Sequence, residues 1–350
     1  MTENLFAQRL RSARIMTGLS LEELASAIGN KVSKQALQKY EKGLMRPDST
    51  VLLAIAKALK VKPDYFFREQ NVPVSQIEFR KKSKMSVKEQ NSIIQVCRDY
   101  LERYSELEVL LGIDRQWENP LKEFKVKNPA DAEVAALKLR ELWKLGLDAI
   151  PNLVETLEDN KFKVCEISAE SDLDGMAAGN DKSAVILVNK NMRDVSRKRF
   201  TIAHELAHLL LNIETNKPKD KERICHRFAG ALLLPAEIMR KEFGQKRSRF
   251  SLAELLALKQ EYGISLQAII RRAKDLEIIS DSKYKGVCIV FSKNGWKINE
   301  PGEYIGEENP KRFNKILLRA LSEEVISISK AAALANLSIE QMNTNAGPIL

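Results

Sequence analysis

Apolar residues recur at intervals of three and four along most of this chain, which is the spacing of one face of an α-helix. Near the N-terminus, short stretches of this kind are separated by glycine, serine and proline, and they predict five short helices within residues 5–67. A longer stretch at residues 86–111 predicts one amphipathic helix. Its apolar side could pack within the chain or against a second copy, and the pattern does not decide between them.

Three segments in the middle of the chain have the shorter period of a β-strand, at residues 162–167, 173–177 and 183–189. The apolar run at residues 286–291 predicts a further strand. Helical spacing returns after residue 310. We therefore expect a mainly α fold with a small β-sheet.

These patterns divide the 350 residues into four segments. Residues 1–68 are predicted to form a five-helix domain, and residues 69–125 a linker with the long amphipathic helix. Residues 126–284 are predicted to form an α+β domain, and residues 285–350 a small, mostly helical C-terminal module. A basic run at residues 79–84 is interpreted as a solvated face of the linker, with a DNA-binding arm as the alternative.

Composition narrows the classes of protein that fit. The formal net charge of +10 favours an anionic partner. The four cysteines have no C-x-x-C spacing, which argues against a disulfide framework or a zinc knuckle and fits a reducing cytoplasm. The N-terminus lacks the features of a secretory signal, and no apolar run approaches the roughly 20 residues of a membrane helix. We expect a cytoplasmic protein without a membrane partner.

The strongest chemical signal is an H-E-x-x-H motif formed by His204, Glu205 and His208, which contributes two of the chain's three histidines. On a helix, residues four apart lie on one face, so both imidazoles can bind one Zn²⁺ ion. Glu205 is then placed to take a proton from the attacking water. The alternative, two ordinary helix histidines, would leave polar groups in an otherwise apolar helix without partners.

A catalytic zinc site needs a third protein ligand and an open position. Glu222 and His226 follow on the next predicted helix and are again four residues apart. We favour Glu222 as the ligand and His226 as a residue that hydrogen-bonds the transition state. The reverse assignment and a surface role for His226 stay open.

The N-terminal segment also has distinctive residues, including the predicted capping box at residues 20–23, the residues 40–43 and Pro47. In their order they resemble the XRE (Cro/C1-type) helix-turn-helix domains. The resemblance implies that the third helix reads double-stranded DNA, and the residues placed to contact an operator are Ser33, Lys34, Gln35, Gln38 and Lys39.

Charge supports this reading of the first 68 residues, which contain twelve Lys and Arg against six Asp and Glu. More than half of the chain's excess positive charge therefore falls in this segment. The alternative is a five-helix dimerisation module without DNA binding.

The segment at residues 199–208, together with Glu222 and the residues 232–235, resembles the ImmA/IrrE family of zinc metallopeptidases. The resemblance implies a zincin-like α+β domain with Glu222 as the third ligand, and a protein substrate such as a repressor. Three hypotheses follow. The protein is a DNA-bound regulator that cuts a protein, or a repressor or antitoxin-like regulator with a silent or structural zinc site that binds a co-encoded toxin, or a peptidase whose N-terminal domain docks the target. A homodimer is a further candidate assembly.

Overall fold

A computed structural model describes residues 4–68, 78–79, 85–113, 117–168, 173–180, 183–215 and 217–347. The chain divides into two compact units. Unit 1 comprises Met1–Ile77, Lys81–Arg115 and Lys311–Leu350, and unit 2 comprises Glu78–Arg80 and Gln116–Pro310. Among the helices in the described ranges, none has both the length and the hydropathy to span a bilayer. Most of the basic run predicted at residues 79–84 lies outside the described residues.

Helices dominate both units, as the apolar periodicity predicts. In chain order they are α1 (Leu5–Met16), α2 (Leu21–Ala27), α3 (Lys34–Glu41), α4 (Ser49–Ala58), a 3-10 helix (Pro63–Phe67), α5 (Val87–Leu110), α6 (Pro129–Leu142), α7 (Leu153–Asp159), α8 (Val195–Leu210), α9 (Pro218–Leu233), α10 (Ala236–Phe243), α11 (Leu252–Tyr262), α12 (Leu266–Asp275), α13 (Asp281–Lys293), α14 (Arg312–Ser322), α15 (Ile328–Ala335) and α16 (Ile339–Ala346). The strands are β1 (Glu78–Phe79), β2 (Lys125–Val126), β3 (Lys163–Ile167), β4 (Gly175–Asn180), β5 (Ser183–Asn189) and β6 (Asn212–Ile213).

In unit 1, helices α1 to α4 and the 3-10 helix form a bundle. Side-chain caps begin α1 to α4, and Ser20 with Glu23 forms the capping box at α2. One apolar residue or more from each element is fully buried in the shared core, including Leu10, Leu24, Leu37, Ile55 and Phe66. The five predicted helical segments are confirmed, and the fifth has the tighter 3-10 geometry.

Helix α5 packs within unit 1 on both sides, which answers the question that its amphipathic pattern left open. Tyr104 and Leu107 are buried with residues of the C-terminal helices, among them Phe313. Towards the N-terminal bundle, Arg9 Nη1 donates to Glu102 Oε2 at 2.5 Å. Residues 311–350 and the N-terminal bundle therefore belong to one unit through α5.

The prediction of a strand at residues 286–291 is wrong, because α13 spans this segment. Its apolar and β-branched residues favour a strand locally. Tyr284, Val287 and Phe291, however, recur at helical spacing and pack against the core of unit 2. Ile289 and Val290 on the other side of the helix stay exposed. Tertiary burial of one helix face outweighs the local preference.

Unit 2 contains a four-stranded sheet in the order β1-β4-β5-β3. Strand β4 is antiparallel to both β1 and β5, and β3 is parallel to β5. A separate parallel pair joins β2 and β6. Strands β3 and β5 are buried along most of their length, since helices of the same unit cover the sheet. This is an α+β arrangement, as predicted for the middle of the chain.

Helix α8 lies close against β4, and a glycine makes that approach feasible. A Cβ atom at Gly175 would lie 2.7 Å from Thr201 Cγ2 and 3.2 Å from Glu205 Cγ. On its buried side α8 places Ile202, Ala203 and other apolar residues in the core. This close contact fixes the position of Glu205 relative to the sheet.

The irregular segment at residues 294–310, which we call the strap, joins the helices around the site through buried charge. Glu308 accepts an ion-paired hydrogen bond from Arg199 on α8, and both side chains are 0% exposed. Glu308 also accepts backbone N–H groups of Leu153 and Val154 at 2.9 and 2.7 Å, at the start of α7. Arg199 Nη2 donates to the carbonyl of Ile150 at 2.7 Å. A single carboxylate thus holds α7, α8 and the strap together.

Glu300, a second carboxylate of the strap, binds the start of another helix. It accepts backbone N–H groups of Leu266 and Gln267 at 2.8 and 3.0 Å, at the start of α12. Buried Lys259 Nζ lies 3.3 Å from Glu300 and 3.2 Å from Asp194, which caps α8. The strap therefore satisfies two helix N-termini that would otherwise leave backbone donors without acceptors.

Candidate metal centre and nucleic-acid interface

Helices α8 and α9 supply the candidate metal residues. His204 and His208 lie one turn apart on α8, and Glu222 and His226 lie one turn apart on α9. Asp194 caps α8, and a proline in the first turn begins α9. The packing of these two helices brings all four side chains into one place.

The two histidines converge on one carboxylate. His204 Nε2 lies 3.2 Å from Glu222 Oε2, and His208 Nε2 lies 3.5 Å from Glu222 Oε1. The imidazole rings are nearly perpendicular, with their centroids 4.8 Å apart. Hydrogen bonds from His204 and His208 hold the pKa of Glu222 well below its usual range, so this carboxylate is ionised at neutral pH.

These distances fit a zinc ion. Zinc ligands lie about 2.0–2.1 Å from the metal, so two ligands of a tetrahedral site are about 3.3 Å apart. Two imidazole nitrogens and a carboxylate are one of the ligand sets found in catalytic zinc sites. The other ring nitrogen of His208, Nδ1, lies 3.3 Å from the Sγ of Cys225. This contact orients the ring so that Nε2 faces Glu222.

His226 gives a second combination. One ligand atom from each of His204, Glu222 and His226 lies within 4.8 Å of the others. The ring of His226 stacks on Phe200 at 5.8 Å. Loss of solvent around the ring lowers the pKa of His226 to about 4, and the nearby His204 adds to the effect, so the imidazole is neutral at neutral pH. Both combinations contain His204 and Glu222, and they differ in whether His208 or His226 completes the set.

Glu205 is buried, unlike a typical surface carboxylate. It follows His204 directly and is 2% exposed. Its Cγ lies against the backbone of Gly175 on β4, as the close approach of that glycine indicates. The carboxylate is thus held between the sheet and the helix that bears both histidines.

The predicted DNA-reading residues share one exposed side of α3. Ser33 caps the helix by accepting the N–H of Ala36 at 3.2 Å. Leu37 and Tyr40 bury the other side in the core of unit 1. Exposed Lys34 pairs with Glu22 at 2.9 Å, and the remaining exposed residues are Gln35, Gln38 and Lys39.

Comparisons with known proteins match these two regions separately. The family described as Helix-turn-helix matches residues 10–66, which include α3. A curated relative from Rickettsia prowazekii, named Uncharacterized HTH-type transcriptional regulator RP497, is 33% identical over 99 residues, 28% of this chain and 70% of the relative. The chain belongs to the helix-turn-helix family. The family described as IrrE N-terminal-like domain matches residues 158–274, which include α8 and α9.

Other relatives of the helix-turn-helix domain are similar over a shorter stretch. The Uncharacterized HTH-type transcriptional regulator y4wC of Sinorhizobium fredii is 47% identical over 62 residues, 18% of this chain and 42% of the relative. The Uncharacterized transcriptional regulator in ATPase CF(0) region of Rhodospirillum rubrum is 48% identical over 62 residues, 18% of this chain and 56% of the relative. The chain thus spans about half the length of these two relatives.

Three features of the IrrE-like domain were not found from the sequence. Cys225 faces His208, but a single cysteine inside an apolar helix gives no signal for such a contact. Gly175 follows Asp174 in a dipeptide that is typical of a turn, and nothing in that motif indicates a helix packed against the glycine, so its contact with α8 is visible only in the structure. The cations around Glu222 and His226 come from α8, α9, α12 and the strap, which are far apart in sequence.

Proposed function

We propose that this protein is a DNA-binding transcriptional regulator whose IrrE-like domain is a zinc-dependent endopeptidase that cleaves a regulatory protein such as a repressor. The observation that supports the peptidase most directly is the convergence of His204 Nε2 and His208 Nε2 on the Glu222 carboxylate, at 3.2 and 3.5 Å. The family match to the helix-turn-helix domain and the exposed polar side of α3 support the DNA-binding part.

The residues of the site have separate tasks in peptide hydrolysis. His204, His208 and Glu222 would hold the zinc, which when bound polarises the scissile carbonyl and acidifies the attacking water. Glu205 accepts a proton from that water and passes it to the leaving amine. Neutral His226 donates a hydrogen bond to the oxygen that gains negative charge.

The sheet favours a polypeptide substrate. Strand β4 is paired with β5 along one side. On its other side, the register within the described residues pairs only Ala178 and Gly179, with β1. We infer that an extended substrate peptide adds as a strand to this side of the sheet, next to Glu205.

The relatives' names support a second candidate, since they describe transcriptional regulators. In it the protein is a repressor or antitoxin-like regulator with a silent or structural zinc site, and its partner is a co-encoded toxin. This candidate keeps zinc binding and lacks cleavage. A homodimer on DNA is compatible with both candidates. A cytoplasmic location is part of the proposal, since four cysteines without C-x-x-C spacing fit a reducing compartment.

Zinc content tests the ligand assignment. We expect about one zinc per chain in the full-length protein, and its loss in Glu222→Ala, because two imidazoles alone bind zinc weakly. The measurement is metal analysis after dialysis against a mild chelator. Glu237→Ala, which removes an exposed glutamate of α10, is the matched control and should keep its zinc.

Two further variants separate the two ligand combinations. His208→Ala should lose zinc and His226→Ala should keep it. The opposite result would put His226 in the place of His208 among the ligands.

DNA binding depends on α3 in this proposal. After operator selection from random sequences, Gln35→Ala with Gln38→Ala should lower the preference for the operator over unrelated duplexes. Each lost bidentate contact to a base costs about 1–3 kcal/mol of discrimination. Fluorescence anisotropy at fixed salt measures both affinities. Gln245→Ala, an exposed glutamine of unit 2, is the control. An unchanged preference in the double variant would remove α3 from base recognition.

A further inference from the structure

A large cleft opens beside the candidate metal centre of unit 2. Its volume is about 780 Å³, and both Glu222 and His226 line it. A second cleft of about 720 Å³ shares Arg223, Arg227 and Arg271 with the first. The two clefts therefore have one wall in common, formed by α9 and α12. A polypeptide held at the metal centre has this groove available for its neighbouring residues.

The acidic groups in the larger cleft already have partners. Glu300 and Asp194 share Lys259 and cap α12 and α8. Asp275 Oδ1 accepts from Arg271 Nε at 3.0 Å. Glu222 faces the two histidines. Each of these carboxylates is therefore already engaged by a cation, a backbone N–H group or an imidazole.

Several of the cations are similarly neutralised. Arg227 and Arg272 bind Glu133, and burial would raise the pKa of Glu133 but hydrogen bonds and charge from the two arginines lower it. Arg197 pairs with Asp174 at 3.1 Å. These pairs act as structure rather than as anion receptors.

Three cations remain on the wall of the cleft. Lys219, Arg223 and Lys297 are exposed, and none has a carboxylate within ion-pair distance among the residues that the structure describes. Arg271 stands next to them, and its Nε is fixed by Asp275 while the side chain keeps 43% of its area exposed. A guanidinium anchored in this way can receive a carboxylate with its remaining N–H groups.

Apolar surface accompanies the charge. Ile298 on the strap lines the same cleft and is 82% exposed, and Phe200 and Ala268 lie on its walls. A polypeptide can present carboxylates and apolar side chains in alternation, whereas a nucleic acid presents a regular row of phosphates. The mixed lining therefore favours a polypeptide.

We propose that this cleft binds an acidic segment of the substrate polypeptide, next to the bond that is cut, with Arg223, Arg271 and Lys297 as the residues that select it. This inference rests on the proposed peptidase function. The substrate class is then a protein with several Asp or Glu residues beside an apolar residue near the cleavage site.

Peptide binding tests the inference without relying on turnover. The full-length Glu205→Gln protein is titrated with two short fluorescein-labelled peptides, one rich in Asp and Glu around a leucine and the other its Asn and Gln counterpart. The acidic peptide should bind about tenfold more tightly, as several partly exposed charge pairs acting together can provide. Its advantage should shrink as salt is raised.

Charge reversal locates the effect. Arg223→Glu in the same background should lower the preference for the acidic peptide at least about threefold. Arg249→Glu, at an exposed arginine outside the lining of both clefts, should leave it unchanged. Circular dichroism verifies that both variants are folded, and Lys297→Glu provides a second reversal if Arg223→Glu is not.

The outcomes separate this inference from the peptidase proposal. Selective binding of the acidic peptide supports the cleft, and if the unmodified protein also cuts no partner that the Glu205→Gln protein retains, the same result contradicts the peptidase. Cleavage of both peptides without a preference for the acidic one supports the peptidase and contradicts the cleft. Tighter binding of a single-stranded oligonucleotide, with the same sensitivity to Arg223→Glu, would overturn the polypeptide assignment.

Discussion

Replacing Glu205 by glutamine is expected to lower peptide hydrolysis by about 10²–10⁴-fold, the usual contribution of a positioned general base. Glutamine has nearly the same shape but cannot accept the proton of the attacking water. The side chain is buried between α8 and β4, on the helix that bears both histidines. Initial rates on the same protein substrate, for variant and unmodified protein, give the ratio.

Zinc content separates loss of the base from loss of the metal. Glu205→Gln should keep about one zinc per chain, because the proposed ligands are His204, His208 and Glu222. Glu237→Gln on α10 is the matched control and should keep both zinc and activity. Undiminished cleavage by Glu205→Gln would show that another group takes the proton.

The same variant identifies the substrate. A protein that binds but does not cut should retain its target, so a pull-down with Glu205→Gln, compared with the unmodified chain, enriches the uncleaved partner. A co-encoded toxin that is retained equally by both proteins, and never cut, would favour the antitoxin-like candidate.

Replacing Glu308 by alanine is expected to destabilise unit 2 by about 3–5 kcal/mol, because it leaves the guanidinium of Arg199 buried without its counter-ion. Both side chains are 0% exposed. The change also removes the acceptor of two backbone N–H groups at the start of α7.

Urea unfolding followed by tryptophan fluorescence measures this effect. The chain's three tryptophans, Trp117, Trp143 and Trp296, all belong to unit 2, so the signal reports on that unit. Glu141→Ala breaks the exposed pair with Lys138 and should cost less than about 0.5 kcal/mol.

A double variant distinguishes a stranded charge from lost packing. Arg199→Met with Glu308→Met should recover part of the stability, since replacing both partners of a buried pair is often tolerated. A free energy of unfolding for Glu308→Ala within error of the unmodified protein would mean that water or another group compensates Arg199.

Local sequence was sufficient where the chain's own period fixes the neighbours. The helical repeat puts His204 over His208 and Glu222 over His226 wherever these helices lie. Caps such as Ser20, with Glu23 three residues later, fix where the N-terminal helices begin. For the same reason the mainly α fold and the α+β middle were predictable.

Local sequence failed at residues 286–291, where the apolar run favours a strand and the structure has α13. The energy that decides is burial of Tyr284, Val287 and Phe291 against other helices of unit 2. That surface does not exist until those helices are assembled. Intrinsic preference is a weak guide where tertiary burial is this selective.

The sequence by itself determined which groups this protein can offer to a metal and to a DNA duplex. For the metal they are His204 and His208 on one helix and Glu222 on the next, and for the duplex they are the polar side of the short capped helix α3. Only the tertiary structure decided that Glu222 faces both histidines, that Gly175 seats Glu205 against β4, and that the cations of α9, α12 and the strap share one cleft. The physical reason is the separation along the chain between the groups that meet. A helix fixes partners four residues apart, whereas Arg199 and Glu308 are 109 residues apart and meet only when the packed core excludes water from both.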